Sequence, residues 1–250
     1  EDVAPSRLMA AKLAIYDMLE RLKKEGKKDK VAFLRFTDIA IPAVIIPTRD
    51  YDLTEYELRL TTHNYLKMFE KHGTNIWDAV TQGLNMFDYL DDQEKILIII
   101  SDGEQVAESE YIDETRQEAI TKRFSDPYFQ SVKIFLIGIG KGDEPALIPK
   151  EKDGRGNVVE FYTQTDGPDK GKLVTTSPDL SYLEEIKNLI DGEFISSENK
   201  EELTRSMDKI LNKQRKVIGA NENVNLKDVS PWFIGATLIL LFFVPIVRLG

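Results

Sequence analysis

The stretch Ile96-Leu97-Ile98-Ile99-Ile100-Ser101-Asp102-Gly103-Glu104 decides the fold. Five aliphatic residues in a row lack the alternation of a half-exposed strand. They predict a strand buried on both faces, as in the middle of a parallel sheet. The run stops at a Ser-Asp-Gly-Glu turn, so a carboxylate lands at the strand's carboxyl end. That is the edge at which open α/β sheets bind ligands.

Working outward, Ile134-Phe135-Leu136-Ile137 is a second such run, and Ile98 and Leu136 are expected to be buried on adjacent central strands. Helices are expected on either side. Leu8, Ala11, Ile15, Met18 and Leu22 are spaced three or four apart and share one helical face, with Pro5 near the helix start. Ile76, Val80, Leu84 and Phe87 do the same. Further helices are expected over 55–69, 111–124, 182–190 and 200–216. Val31-Ala32-Phe33-Leu34 reads as a strand; residues 40–46 are β-branched but contain Pro42, which cannot donate to a ladder. They are expected to form an edge strand paired with the first as a hairpin. Residues 158–162 and 173–176 are expected to make a small hairpin, and a short strand is expected near Phe194. Strands alternating with helices predict an α/β sheet flanked by helices on both faces.

The chain has 250 residues, enough for one large domain with appendages and a proper core. Its net charge of −10 argues against nucleic acid, which demands clustered Lys and Arg. The absence of Cys excludes disulfides, thiolate catalysis and Cys-based zinc sites. The chain opens Glu1-Asp2-Val3 with neither Met nor a signal peptide, and is expected to be a piece of something longer. At the other end, residues 232–247 carry no charge. Trp232 stands where an interfacial anchor would, and Arg248 closes the run. The run is apolar on all sides and follows a polar stretch, so it reads as a membrane-spanning helix rather than a buried core helix. The expected organisation is a domain over 1–216, a linker over 217–230 and a transmembrane helix over 231–249.

Two places qualify for chemistry: the turn at 101–104 and Gly73-Thr74-Asn75, directly before a helix. A hard cation such as Mg²⁺ wants oxygen ligands in octahedral array. Asp102 offers a carboxylate and Thr74 a hydroxyl. Each also has a structural reading, since Asp-Gly is a common turn and Thr a common helix cap. Gly138-Ile139-Gly140-Lys141-Gly142 imitates a dinucleotide fingerprint, but its third glycine comes one residue early and Asp143-Glu144-Pro145 follows instead of an apolar helix start. His63 and His72 are spaced wrongly for a two-histidine metal face, and His72 is expected to be solvated.

Taken together, Pro5-Ser6-Arg7-Leu8 with its helix, the Gly-Thr loop heading another helix, and the aliphatic strand ending in Ser-Asp-Gly-Glu resemble the von Willebrand factor A (VWA) fold. They look most like the membrane-anchored bacterial aerotolerance, or Bat-type, VWA proteins. The resemblance implies a Rossmann-like α/β fold and a metal-ion-dependent adhesion site. In that family the site combines an Asp-x-Ser-x-Ser motif on the first strand with a Thr and an Asp on two later loops. Thr74 and Asp102 match the last two, with Ser101 in place of a frequent Thr. The Asp-x-Ser-x-Ser motif is absent. We therefore expect the first strand to be missing and the chain as it stands to bind Mg²⁺ weakly or not at all.

The resemblance further implies a non-enzymatic module whose protein partner supplies a carboxylate to the ion. It points to partners among other Bat-type proteins and a MoxR-type AAA+ ATPase, and to a role in assembly or envelope stress tolerance. The alternatives are a metal-dependent hydrolase using Asp102, with Glu104 as the one local candidate base, and a structural scaffold with a degenerate metal site. Lys213, Arg215, Lys216 and Lys227 precede the apolar run and only Arg248 follows it. By charge alone the domain would be cytoplasmic. The resemblance implies a domain outside the cytoplasm, anchored in the bacterial inner membrane, and this placement is the one we expect.

The apolar run makes the first prediction. The whole chain should float with lipid vesicles, and a chain ending at Ser230 should remain in the soluble fraction. An intact chain that fails to float would refute the anchor.

Overall fold

The computed structural model describes residues 2–4, 6–26, 29–37, 39–62, 74–87, 94–104, 118, 121–122, 127–142, 145–155, 157–165 and 167–225. The expected helix over 111–124, His63, His72 and the apolar run over 232–247 lie almost wholly or wholly outside these residues. Among the described residues no helix is long and apolar enough to cross a membrane. The chain divides into two units, Glu1–Asp208 and Lys209–Gly250.

The centre is a three-stranded parallel sheet of β3 (Lys95–Ser101), β4 (Val132–Ile139) and β9 (Glu193–Ser197), in the order β3-β4-β9. The two aliphatic runs are neighbours as expected, with Ile98 opposite Phe135 and Ile99 opposite Leu136. Leu97, Ile99, Val132, Ile134 and Leu136 form one apolar face. They share a core with Ile76, Val80 and Leu84 of α3 (Ile76–Asn85) and with Leu183 and Ile186 of α5 (Leu180–Leu189). At Gly83 a Cβ would come within 2.7 Å of Leu97 Cδ1, so α3 lies directly on β3. Trp77 Nε1 donates to Tyr182 Oη at 3.0 Å, joining the first turns of α3 and α5 while satisfying a buried indole.

One expectation about this sheet needs correction. Ile98 is only half-buried, and so are Ile96 and Ile100. They lie on the face away from the α3–α5 core, and β3 has a strand neighbour on one side only among the described residues. The middle strand is β4, where Phe135, Leu136 and Ile137 are at most 1% exposed. An unbroken aliphatic run does not reveal which of two neighbouring strands is flanked on both sides.

Helix α1 (Arg7–Lys24) starts at Ser6, whose hydroxyl accepts from the Met9 amide at 3.2 Å. Its fully buried residues are Ala10, Ala14, Leu19 and Leu22, while Leu8, Ala11, Ile15 and Met18 are half-buried. The small alanines mark the line of closest approach, one position off the expected stripe. Lys12 reaches from α1 to the end of α2 (Tyr51–Leu60) and donates to the Thr61 carbonyl at 2.6 Å, capping that helix with a cation. Burial holds the Lys12 ammonium's pKa below the usual lysine value. α2 begins earlier than the expected residue 55 because Asp50 caps it, accepting from the Leu53 amide at 3.1 Å. β1 (Val31–Phe36) and β2 (Ala40–Thr48) form the expected antiparallel hairpin, with Pro42 opposite Leu34.

After a short α4 (Pro127–Gln130) and β4, the chain makes an antiparallel insertion before α5. β5 (Ala146–Leu147) pairs with β8 (Thr175–Thr176), and β6 (Pro149–Lys152) with β7 (Val158–Phe161). The hairpin expected between 158–162 and 173–176 is realised only in part. Thr163 bridges Leu173, and the Val174 amide donates to the Tyr162 carbonyl at 2.8 Å. The rest of both segments pairs with residues 146–152 instead. α6 (Lys200–Asn225) continues past Lys216 into residues expected to be a linker.

The unequal burial of the two central strands sets the second prediction. Leu136→Ala should cost about 2–5 kcal/mol in urea unfolding, as for a fully buried leucine. Ile98→Ala should cost about half as much or less, because part of its side chain already meets solvent. Equal losses at the two positions would contradict the assignment of β4 as the middle strand.

Candidate functional site

The carboxyl edge of the sheet is built first by backbone. Gly103 has φ +74°, and a Cβ there would lie 2.1 Å from the Asp179 carbonyl oxygen. Only glycine takes both the left-handed conformation and the close approach. The Asp179 amide donates to the Asp102 carbonyl at 2.8 Å, tying the end of β3 to the start of α5. Ser101 is buried, and its hydroxyl accepts from the Gly103 amide at 3.1 Å, so it serves the turn itself. At the end of β4, Gly140 has φ +136°, and a Cβ would meet Pro178 Cγ at 2.4 Å and Asp2 Oδ2 at 2.9 Å. Packing against neighbours therefore explains the glycines that imitated a nucleotide fingerprint.

The side chains at this edge converge on Arg7, the first residue of α1. Its Nε donates to Asp2 Oδ1 at 3.0 Å and its Nη2 to Asp2 Oδ2 at 3.0 Å, a forked pair. Its Nη1 donates to Asp102 Oδ2 at 2.9 Å and to Thr176 Oγ1 at 2.9 Å. The Thr176 hydroxyl in turn donates to Glu104 Oε2, and Asp2 Oδ2 also accepts from the Lys141 amide at 3.0 Å. Burial alone would raise the Asp2 pKa, but the Arg7 hydrogen bonds and charge and the Lys141 amide outweigh it and hold the carboxyl below its ordinary value. Arg7 is likewise opposed by burial, and its two carboxylate partners raise its pKa on balance. An arginine at the start of a helix opposes the helix dipole, and α1 has no acidic residue in its first turn. Asp2 and Asp102 supply the compensating negative charge from outside the helix.

The two expected metal residues, Asp102 and Thr74, stand beside different elements, β3 and α3. Asp102 follows β3 with its side chain 28% exposed and its Oδ2 on Arg7. Thr74 is half-buried just ahead of α3. The cap of that helix is Asn75, whose side chain accepts from the Asp78 amide at 3.0 Å, so the Thr74 hydroxyl does not serve as the cap. The first turn of α3 reaches the Asp102 turn through Trp77, Tyr182 and Asp179. Among the described residues no hydrogen bond joins Thr74 to Asp102.

A divalent cation needs about six oxygens. Among the described residues there is no group of three or more acidic or histidine side chains that could hold one. One carboxylate already on a guanidinium, with one hydroxyl, does not fit that requirement. Sequence reasoning missed Asp2 and Thr176 and gave Arg7 no role. The one legible signal was a cation in a helix's first turn, where an acid is favoured.

No family model and no curated protein matches the chain. Solved structures do. The conserved hypothetical protein BatB from Bacteroides thetaiotaomicron is 21% identical, with 86% of this chain and 91% of that one covered and a TM-score of 0.65. An aerotolerance-related membrane protein from Bacteroides fragilis NCTC 9343, solved with multiple mutations to serine, is 23% identical over 85% of this chain and 91% of that one, also with a TM-score of 0.65. A von Willebrand factor type A structure from Catenulispora acidiphila is 14% identical, with 81% and 37% covered and a TM-score of 0.52. These likenesses establish the fold, which is of the VWA type and similar to Bat-type structures.

The edge geometry makes a third prediction. Gly103→Ala should lower stability by about 2 kcal/mol or more, since it strains the backbone and drives a methyl into the Asp179 carbonyl. Gly26→Ala, also at positive φ but with nothing within 4 Å, should cost only its backbone strain. Thermal melts of the two variants check this, together with amide exchange at Asp179. Equal losses, or an Asp179 amide still protected in Gly103→Ala, would refute it.

Proposed function

We propose that the chain is a non-enzymatic, VWA-type protein-docking module, tethered to a membrane by the apolar run over residues 232–247. Its docking face is the carboxyl edge that carries Asp102, together with Thr74 ahead of α3. The observation that carries this reading is the Asp102 turn, a part-exposed carboxylate displayed at the end of β3 on a backbone that only glycine can adopt. Held this way, Asp102 can meet a ligand without rebuilding its loop. With further oxygen ligands beside them, Asp102 and Thr74 would help to hold a Mg²⁺ ion, which would supply positive charge for a partner's carboxylate. The partners proposed are other Bat-type membrane proteins and a MoxR-type AAA+ ATPase, in assembly linked to envelope stress or aerotolerance, with the domain outside the cytoplasm.

The hydrolytic alternative rests on Glu104 as a base. Its carboxylate accepts the Thr176 hydroxyl, and that hydroxyl is itself held by Arg7. This arrangement secures a loop, and we favour the docking module.

Calorimetric titration with Mg²⁺ tests the reading on three proteins: this chain, a chain extended upstream by an Asp-x-Ser-x-Ser strand, and the extended chain carrying Asp102→Asn. Asparagine is preferred to alanine because Asp102 is no free surface carboxylate but a partner of Arg7. Binding is expected for the extended chain alone. Equal binding by all three would remove Asp102 from the ligand set.

A further inference from the structure

Asp102 is the carboxylate that the VWA resemblance gives to a metal, yet its Oδ2 already accepts from Arg7 at 2.9 Å. We propose that Arg7 is the resident counter-ion of Asp102 and withholds that carboxylate from divalent cations in this chain. The inference rests on the reading of Asp102 as the residue through which this edge would meet a cation.

Three observations support it. First, Arg7 is not free to leave. Its Nε and Nη2 are forked onto Asp2, its Nη1 also binds Thr176, and its side chain is 12% exposed. Asp2 is anchored in turn by the Lys141 amide, so the guanidinium is braced from the N-terminal segment, from the turn after β4 and from β8. Second, the charge is permanent, because a guanidinium does not deprotonate in proteins. A divalent ion on Asp102 would stand within a few ångströms of a fixed like charge in a partly buried site, where the repulsion is screened less than in bulk water. Third, the position disfavours a cation on local grounds. Arg7 opens a helix whose first turn holds no acidic residue. An arginine placed against the dipole is accounted for by what it reaches, and it reaches Asp102.

The test uses Mn²⁺ alone as the probe, with free ion read by electron paramagnetic resonance, on the full chain. The proteins are the natural chain, Arg7→Gln, Arg7→Lys, Asp102→Asn and the double variant Arg7→Gln/Asp102→Asn. Removing the fixed charge should tighten Mn²⁺ binding at least about tenfold in Arg7→Gln. Arg7→Lys retains the charge and should stay near the natural chain, and Asp102→Asn should cancel the gain in the double variant.

An Arg7→Gln affinity equal to or weaker than the natural chain's overturns the proposal. So does a gain of the same size in Arg7→Lys, since charge would then not be the cause. If Arg7→Gln gains nothing while Asp102→Asn weakens the natural chain, the Arg7 inference falls and Asp102 stands as a ligand. If the gain survives Asp102→Asn, the ion binds elsewhere and both readings fail. Circular dichroism melts confirm folding, and Arg7→Met, which retains the side chain's bulk, replaces Arg7→Gln if the latter does not fold. If neither folds, Arg7 is a purely structural residue and the proposal is overturned.

Discussion

The carboxyl edge of this protein depends on one guanidinium. Arg7 reaches three parts of the chain that are far apart in sequence: Asp2 ahead of α1, Asp102 after β3 and Thr176 in the insertion. Hydrogen bonds to charged groups are stronger than neutral ones, and a forked pair adds direction to strength. The cost of desolvating so many charges is met only because nearly every donor of Arg7 finds an oxygen. Removing any one partner would leave a largely buried charge short of compensation. That explains why the turn after β3, the turn after β4 and the start of β8 stand in fixed relation.

The same constraint changes the meaning of the Asp102 position. A carboxylate at the end of a central strand reads, in the sequence, as a ligand waiting for an ion. In the structure it is half of an ion pair. Asp102 Oδ2 is committed to Arg7, and Asp102 Oδ1 has a long contact of 3.4 Å to the Glu104 amide. Of the surrounding residues, Ser101 is spent on its own turn and Glu104 on Thr176, so the edge has few oxygens to spare.

Much of the fold was legible because apolar periodicity and burial share one cause. The runs at 96–100 and 134–137 became neighbouring parallel strands, and Ile76, Val80 and Leu84 became the buried side of α3. What failed was of another kind. The half-burial of Ile98 depends on how many strands flank β3, which no local pattern encodes. In the insertion the strands are two to four residues long, and exchanging one antiparallel partner for another changes little in local energy. At the site, Asp102 and Thr74 could be picked out by their places beside a strand and a helix. Asp2 and Thr176 could not, because their significance lies wholly in a contact with Arg7 across the tertiary structure.

The insertion also bears on how the chain can change. It leaves the sheet after β4 and returns at α5, and its two ends are pinned close together where Asp102 meets Asp179 and where Asp2 meets Lys141. Once a loop's ends are fixed, doubling its length adds only about 0.6 kcal/mol of closure entropy. The segment between Lys141 and Pro178 can therefore lengthen, shorten or exchange its strands at little thermodynamic cost, provided that Thr176 or an equivalent hydroxyl still reaches Arg7. The sheet and the Arg7 contacts carry the constraint at this edge, and the length of the insertion between them does not.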